Sequence, residues 1–214
     1  MIMQYPDFQE SRHPLVQALQ ACTDEALVLG MQQSPQEGRY FVAIFCRYGT
    51  MAYILLRQTA PVSLQSDYLF ARVWRNIFLE LPYLQVTATG ETDASTFSLQ
   101  SWILNKVAAC INQEALPPIE SISYSFEAAS PPLWCYLQRA LDELPGIYRL
   151  VLVLSQIFHW QAERIVAFLQ AEGESVTLEE LPSRLAQAYK LLIEALPGDL
   201  QTIYWEAQPQ LLRS

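Results

Sequence analysis

Between Leu141 and Leu196 the apolar residues recur at helical spacing in three blocks, and the pattern breaks at Pro145, at His159–Trp160 and at Gly173. A helical period held through each block argues for amphipathic helices, and proline and glycine mark where helices end. Three short helices with tight turns between them predict a helix-turn-helix module, a shape that lays one helix in a DNA groove.

The rest of the chain repeats the helical theme. Leu69, Val73, Ile77 and Leu81 recur every four residues beside Phe70 and Trp74. This predicts an amphipathic helix over 63–81, with Ser63 as its N-cap and Pro82 as its stop. Phe97 to Asn112 reads as another helix, with Trp102, Ile103, Val107, Cys110 and Ile111 inside. Arg39 to Gln58 sets Phe41, Ile44, Phe45 and Tyr48 on one helical face, with Gly49 between its halves. Its residues are also β-prone, so strand is an alternative for each half; helix is preferred because no period of two persists. Leu15, Leu19, Leu27 and Met31 predict helical turns, with Thr23 and Asp24 placed to cap the second. Residues 1–14 read as a loose arm, and 85–96, rich in Thr, Gly, Asp and Ser, as an exposed loop. Proline pairs bracket Ala115 to Pro132, which predicts an extended linker.

The expected fold is therefore all-α: two small helical domains joined by an extended linker, the C-terminal one a helix-turn-helix. An arm with short helices occupies 1–38, the first domain 39–114, the linker 115–132, the second domain 133–196 and a tail 197–214.

Charge and cysteine usage narrow the function classes. The net charge is −9, with 22 acidic against 13 basic residues. That disfavours a nonspecific nucleic-acid binder, which needs Lys and Arg to displace counterions from phosphates. Cys22, Cys46, Cys110 and Cys135 lie far apart among apolar neighbours, and His13 and His159 are isolated. Zinc-ligand spacing is absent, so the cysteines read as buried free thiols in a reducing compartment. No glycine cluster cradles a phosphate and no GxSxG elbow appears. His159 reads as structural, and Asp142–Glu143 and Glu179–Glu180 as solvated carboxylates at helix starts. Neither an enzyme nor a cofactor is expected. The start MIMQYPDFQESRHP lacks the pattern of a signal peptide, and the apolar run Leu150 to Leu154 is too short for a bilayer, so a cytoplasmic protein without a membrane partner is expected.

Two stretches together resemble the sigma-70 family of bacterial transcription initiation factors, in particular its small two-domain, extracytoplasmic-function type. In the second half, Leu144-Pro145 is followed by Arg149, Val151 and Leu154; Glu163-Arg164-Ile165-Val166-Ala167 resembles the family's E-I-A helix; and Leu181-Pro182-Ser183-Arg184-Leu185, with Ala188 and Leu192 in phase, resembles its V-K-S-R-L segment. In the first half, Phe70 to Arg75 resembles the family's F-x-x-A/V-W-R helix. Leu99-Gln100-Ser101-Trp102-Ile103 resembles its F-x-x-W-L element, with Leu99 in place of Phe. The likeness covers roughly residues 39 to 196.

The resemblance implies a bacterial factor that binds core RNA polymerase through the β′ clamp and β subunit and directs promoter recognition and melting. It places Asp67, Tyr68, Ala71 and Arg72 on the polymerase side. Trp102, Asn105 and Lys106 would lie near the melted −10 strand, where stacking and positive charge serve a single strand. Residues 39–106 carry six basic and four acidic side chains, which suits that role. Trp74 and Trp102 also have a plain reading as core residues. Ser183, Arg184, Gln187 and Lys190 would face the −35 element. The linker, with Glu120 and Glu127, would thread the polymerase's basic channel, with an ordinary solvated linker as the alternative. An anti-sigma or other regulatory protein is a further implied partner.

The second half departs from the family. The exposed face of its reading helix carries Pro182, Gln187 and Tyr189 where Lys and Arg are usual. AEGESV is inserted before Thr177, and Leu141 to Leu196 holds eight acids against four bases. Each lost phosphate contact weakens binding on any sequence. Promoter DNA is therefore expected as a partner only within holoenzyme. An alternative is a sigma-derived regulatory protein that keeps the fold without reading promoters.

Overall fold

A computed structural model describes residues 6–59, 62–85, 98–113, 117–122, 124, 126 and 129–206. The fold is all-α, and the described residues contain no strand. The helices in order are α1 (Pro14–Gln17), α2 (Asp24–Gln33), α3 (Arg39–Thr59), α4 (Ser63–Glu80), α5 (Leu99–Gln113), α6 (Pro131–Glu143), α7 (Gly146–Leu152), α8 (Ala162–Ala171), α9 (Leu181–Glu194) and α10 (Gly198–Gln201). The chain divides into two compact units: Met1–Cys135 with Pro197–Ser214, and Tyr136–Leu196.

The first unit is built on α3, against which α2, α4 and α5 pack. Its centre is aromatic. Phe45 meets Phe8 at 4.5 Å and Trp74 at 4.9 Å between ring centroids, and Phe41 meets Phe78 at 5.0 Å. Tilted and edge-on pairs of this kind add about 0.5–1.5 kcal/mol each beyond their buried area. Phe8 reaches the core because position 49 is glycine: a Cβ there would lie 2.9 Å from the Phe8 ring. Gly49 therefore does not interrupt α3, which runs unbroken through it. Helix, not strand, is the outcome for both halves of 39–58.

Asp24 fixes the entry into α2. Its carboxylate accepts from Arg47 Nη1 at 2.6 Å and from Tyr48 Oη at 2.5 Å, while Arg47 Nη2 donates to the Cys22 carbonyl at 2.8 Å. Thr23 Oγ1 accepts from the Ala26 amide at 3.2 Å and caps α2 as its sequence position predicts. Ser63 is not the cap of α4: the helix starts at Ser63, and Val62 precedes it without a side-chain cap.

The expected loose arm, extended linker and short tail all contribute to the first unit. The arm makes a tight turn at Gln9–Arg12 and buries Phe8 and Glu10. The linker buries Tyr124, whose ring lies 5.3 Å from that of Trp134 and whose hydroxyl donates to the Ala129 carbonyl. The tail buries Leu200 and Ile203. Glu127 and the loop 86–96 lie outside the described residues. Cys110 and Cys135 are buried, whereas Cys22 and Cys46 are half-buried.

In the second unit Val151, Leu154, Ile165, Leu169, Val176 and Leu181 form one core cluster and Leu144, Leu152 and Ala188 another, bridged by Leu185. After α7 the backbone widens into a π-turn over Val153–Ile157 and reverses at His159, whose φ is +51°. Residues 172–180 connect α8 to α9, longer than the usual turn of about three to four residues. They are held by Gln170 Nε2 donating to the Val176 carbonyl at 2.8 Å, by buried Val176 and by a reciprocal cap. Thr177 Oγ1 accepts from the Glu180 amide at 3.3 Å and Glu180 Oε2 accepts from the Thr177 amide at 3.1 Å. Pro182 falls in the first turn of α9, where its missing N–H costs nothing.

Candidate functional site

The α4 surface is narrower than the resemblance implies. Packing on both α3 and α5 buries a wide arc of α4 that includes Phe70, Ala71, Val73 and Trp74. Ala71 has no exposed surface and cannot touch a partner, which corrects its place among the polymerase-side residues. Asp67, Tyr68 and Arg72 are half-buried. Asp67 Oδ1 accepts from Tyr53 Oη at 3.1 Å, so this carboxylate is already engaged within the unit. Burial raises the Tyr53 pKa, and the adjoining Asp67 raises it further. Exposed Leu79 and Tyr83 lie past the end of the expected face; no polar motif in the sequence marks them.

On α5 the three expected residues share one side of the helix. Trp102 is half-buried, Asn105 is exposed, and Lys106 Nζ sits 5.3 Å from the centroid of the Trp102 ring. Lys106 also pairs with Glu80 of α4. The plain core reading thus holds for Trp74, which is fully buried, while Trp102 keeps an accessible edge. The Lys106–Glu80 pair had no local signature, because its partners lie on different helices.

The α9 face is the third element. Ser183, Gln187 and Lys190 are exposed at helical spacing, and Arg184 is half-buried beside them. Lys190 Nζ lies 3.8 Å from Glu194 Oε1, an exposed pair of small energetic weight. Tyr189 is exposed on the same helix, and partial burial raises its pKa. Glu172, Glu174, Glu179 and Glu180 are all exposed just before α9, so the approach to this helix is acidic. An open groove of about 650 Å³ lies between α7 and α8, with Ile147, Leu150, Val153 and Phe168 along it and Arg149, Glu172 and Glu174 at its edges.

Among the described residues no cluster of His, Cys, Asp and Glu has metal-binding geometry, and no helix is long and apolar enough to cross a membrane. No protein-family profile, curated protein or solved structure matches the chain.

Proposed function

We propose that this chain is a sigma-like transcription initiation factor that binds core RNA polymerase and meets promoter DNA only in the holoenzyme, in a bacterial cytoplasm. The observation that supports it is the α5 face. An indole with an accessible edge, an amide and an ammonium align at Trp102, Asn105 and Lys106 on a helix braced by the aromatic core. Stacking plus positive charge is what an unpaired strand requires. Polymerase contact falls to the half-buried side chains of Asp67, Tyr68 and Arg72.

A second reading has its own support. The acidic approach to α9 and the Lys190–Glu194 pair favour a regulatory protein that binds polymerase without reading the −35 element. Copurification with core polymerase, followed by run-off transcription with the reconstituted holoenzyme, separates the two. Promoter-dependent transcripts support the first reading; binding without transcripts supports the second. No binding of polymerase rejects both. Arg184→Glu combined with Lys190→Glu then tests α9: unchanged promoter activity removes it from DNA contact.

A further inference from the structure

The segment after Leu196 is the least expected part of the fold. It leaves the second unit and rejoins the first. There, Asp199 places its carboxylate on the start of α3: Oδ1 accepts from the Gly38 amide at 3.0 Å and Oδ2 from the Arg39 amide at 2.8 Å. These donors at the N-terminal end of α3 have no partner within the helix itself, so a carboxylate from 160 residues away does the work of a local cap. Beside this contact, Leu200 is fully buried on Gly38, where a Cβ would lie 2.3 Å from Leu200 Cγ. Further along, Ile203 is buried and the Tyr204 hydroxyl shares a hydrogen bond of 3.0 Å with Ser130 Oγ.

We propose that residues 197–206 form a releasable latch. Docked on the first unit, it holds the second unit's chain at both ends, at Tyr136 and at Leu196; released, it leaves that unit on a single tether. Three properties suit a latch rather than a permanent core element. Its helix α10 spans only Gly198–Gln201 and is followed by a π-turn. Its polar anchors are few: one carboxylate accepting from two backbone amides, and one hydroxyl shared with Ser130. Its apolar anchor enters a recess that exists only because residue 38 lacks a side chain.

The latch stands apart from the transcription reading, and the experiment keeps the two separate. Amide exchange of residues 200–204 is measured in the full chain for wild type, Asp199→Ala, Asp199→Asn and Gly38→Ala, together with small-angle scattering. Asp199→Ala removes both acceptors and is expected to speed latch exchange roughly fivefold, the factor for a lost cap of about 1 kcal/mol. Asp199→Asn retains a capping side chain and is expected to stay near wild type. Gly38→Ala alters only the dock; it is expected to expel Leu200, speed exchange in the untouched latch and enlarge the scattering envelope. The double variant Gly38→Ala/Leu200→Ala relieves the overlap, so recovery of helical content in it identifies a misfolded Gly38→Ala as a consequence of that contact. Unchanged latch exchange and unchanged dimensions in Asp199→Ala and Gly38→Ala overturn the proposal. Run-off transcription with the same proteins tests the functional reading only, because a latch that opens without altering transcription leaves the structural result intact.

Discussion

The Lys106 ammonium lies over the Trp102 indole at 5.3 Å and at the same time pairs with Glu80, so the positive charge on the candidate single-strand face is internally compensated. The pair is partly exposed, which keeps its own contribution small. Its effect is on charge available to a ligand. If the proposed sigma-like function holds, Glu80→Gln is expected to strengthen binding of an unpaired −10-like strand by the reconstituted holoenzyme about two- to fivefold and to steepen the salt dependence by roughly 0.7 in log–log slope, one phosphate's worth. Fluorescence anisotropy over a salt series measures both; equal slopes for wild type and variant would remove Lys106 from strand contact.

Trp74 offers a stability test at the centre of the first unit. It is fully buried, its Nε1–H has no hydrogen-bond acceptor among the described residues, and Phe41, Phe45 and Phe70 surround its ring. Trp74→Ala is expected to cost about 3–5 kcal/mol, as large-to-small core changes do. Trp74→Phe loses ring volume but also removes an unpaired donor, so a cost below about 1.5 kcal/mol is expected. Urea midpoints with an unchanged slope decide between these outcomes.

The helices were legible where one face repeats. Leu69, Val73 and Ile77 announce α4 almost to its ends, and the breaks at Pro145 and His159–Trp160 fall where the structure turns. What local pattern cannot carry is contact between distant segments. Phe8 sits in a polar stretch and reads as an arm residue, yet its place is set by Gly49. Asp199 looks like part of a tail, yet its partners are at 38 and 39. Ala71 and Arg72 are neighbours in the motif, and only packing by α3 and α5 shows that the first is sealed inside. One missed signal was available: Thr177 and Glu180 have the spacing of a reciprocal cap, which fixes the approach to α9.

That cap and the turn before α8 make opposite predictions. Thr177→Ala removes the acceptor for the Glu180 amide and is expected to destabilise the second unit by about 1 kcal/mol. His159→Gly relieves a left-handed backbone on a side chain that is exposed, and is expected to stabilise by about 1 kcal/mol. Thermal melting checks both signs. A His159→Gly protein that melts lower than wild type would show that the imidazole contributes more than the backbone strain costs.

Alkaline pH should weaken the first unit through its tyrosines. Burial, helped by the hydrogen bond to Asp24, pushes the Tyr48 phenol up to about 12 from an ordinary value near 10. Burial likewise raises Tyr124 and Tyr204. A phenol whose pKa is higher in the folded chain favours folding in its protonated form. The stability it contributes is fully present below about pH 10 and is lost as pH rises through the folded value, because the unfolded chain releases its proton first. Stability is therefore expected to be flat with respect to these groups near neutrality and to fall between about pH 10 and 12. Tyr48→Phe is expected to lower stability by about 1 kcal/mol at neutral pH, through the lost bond to Asp24, and to make the alkaline fall shallower. Denaturant titrations at stepped pH, read beside tyrosinate absorbance, test this. An equally steep fall in Tyr48→Phe would move the alkaline sensitivity to Tyr124 and Tyr204.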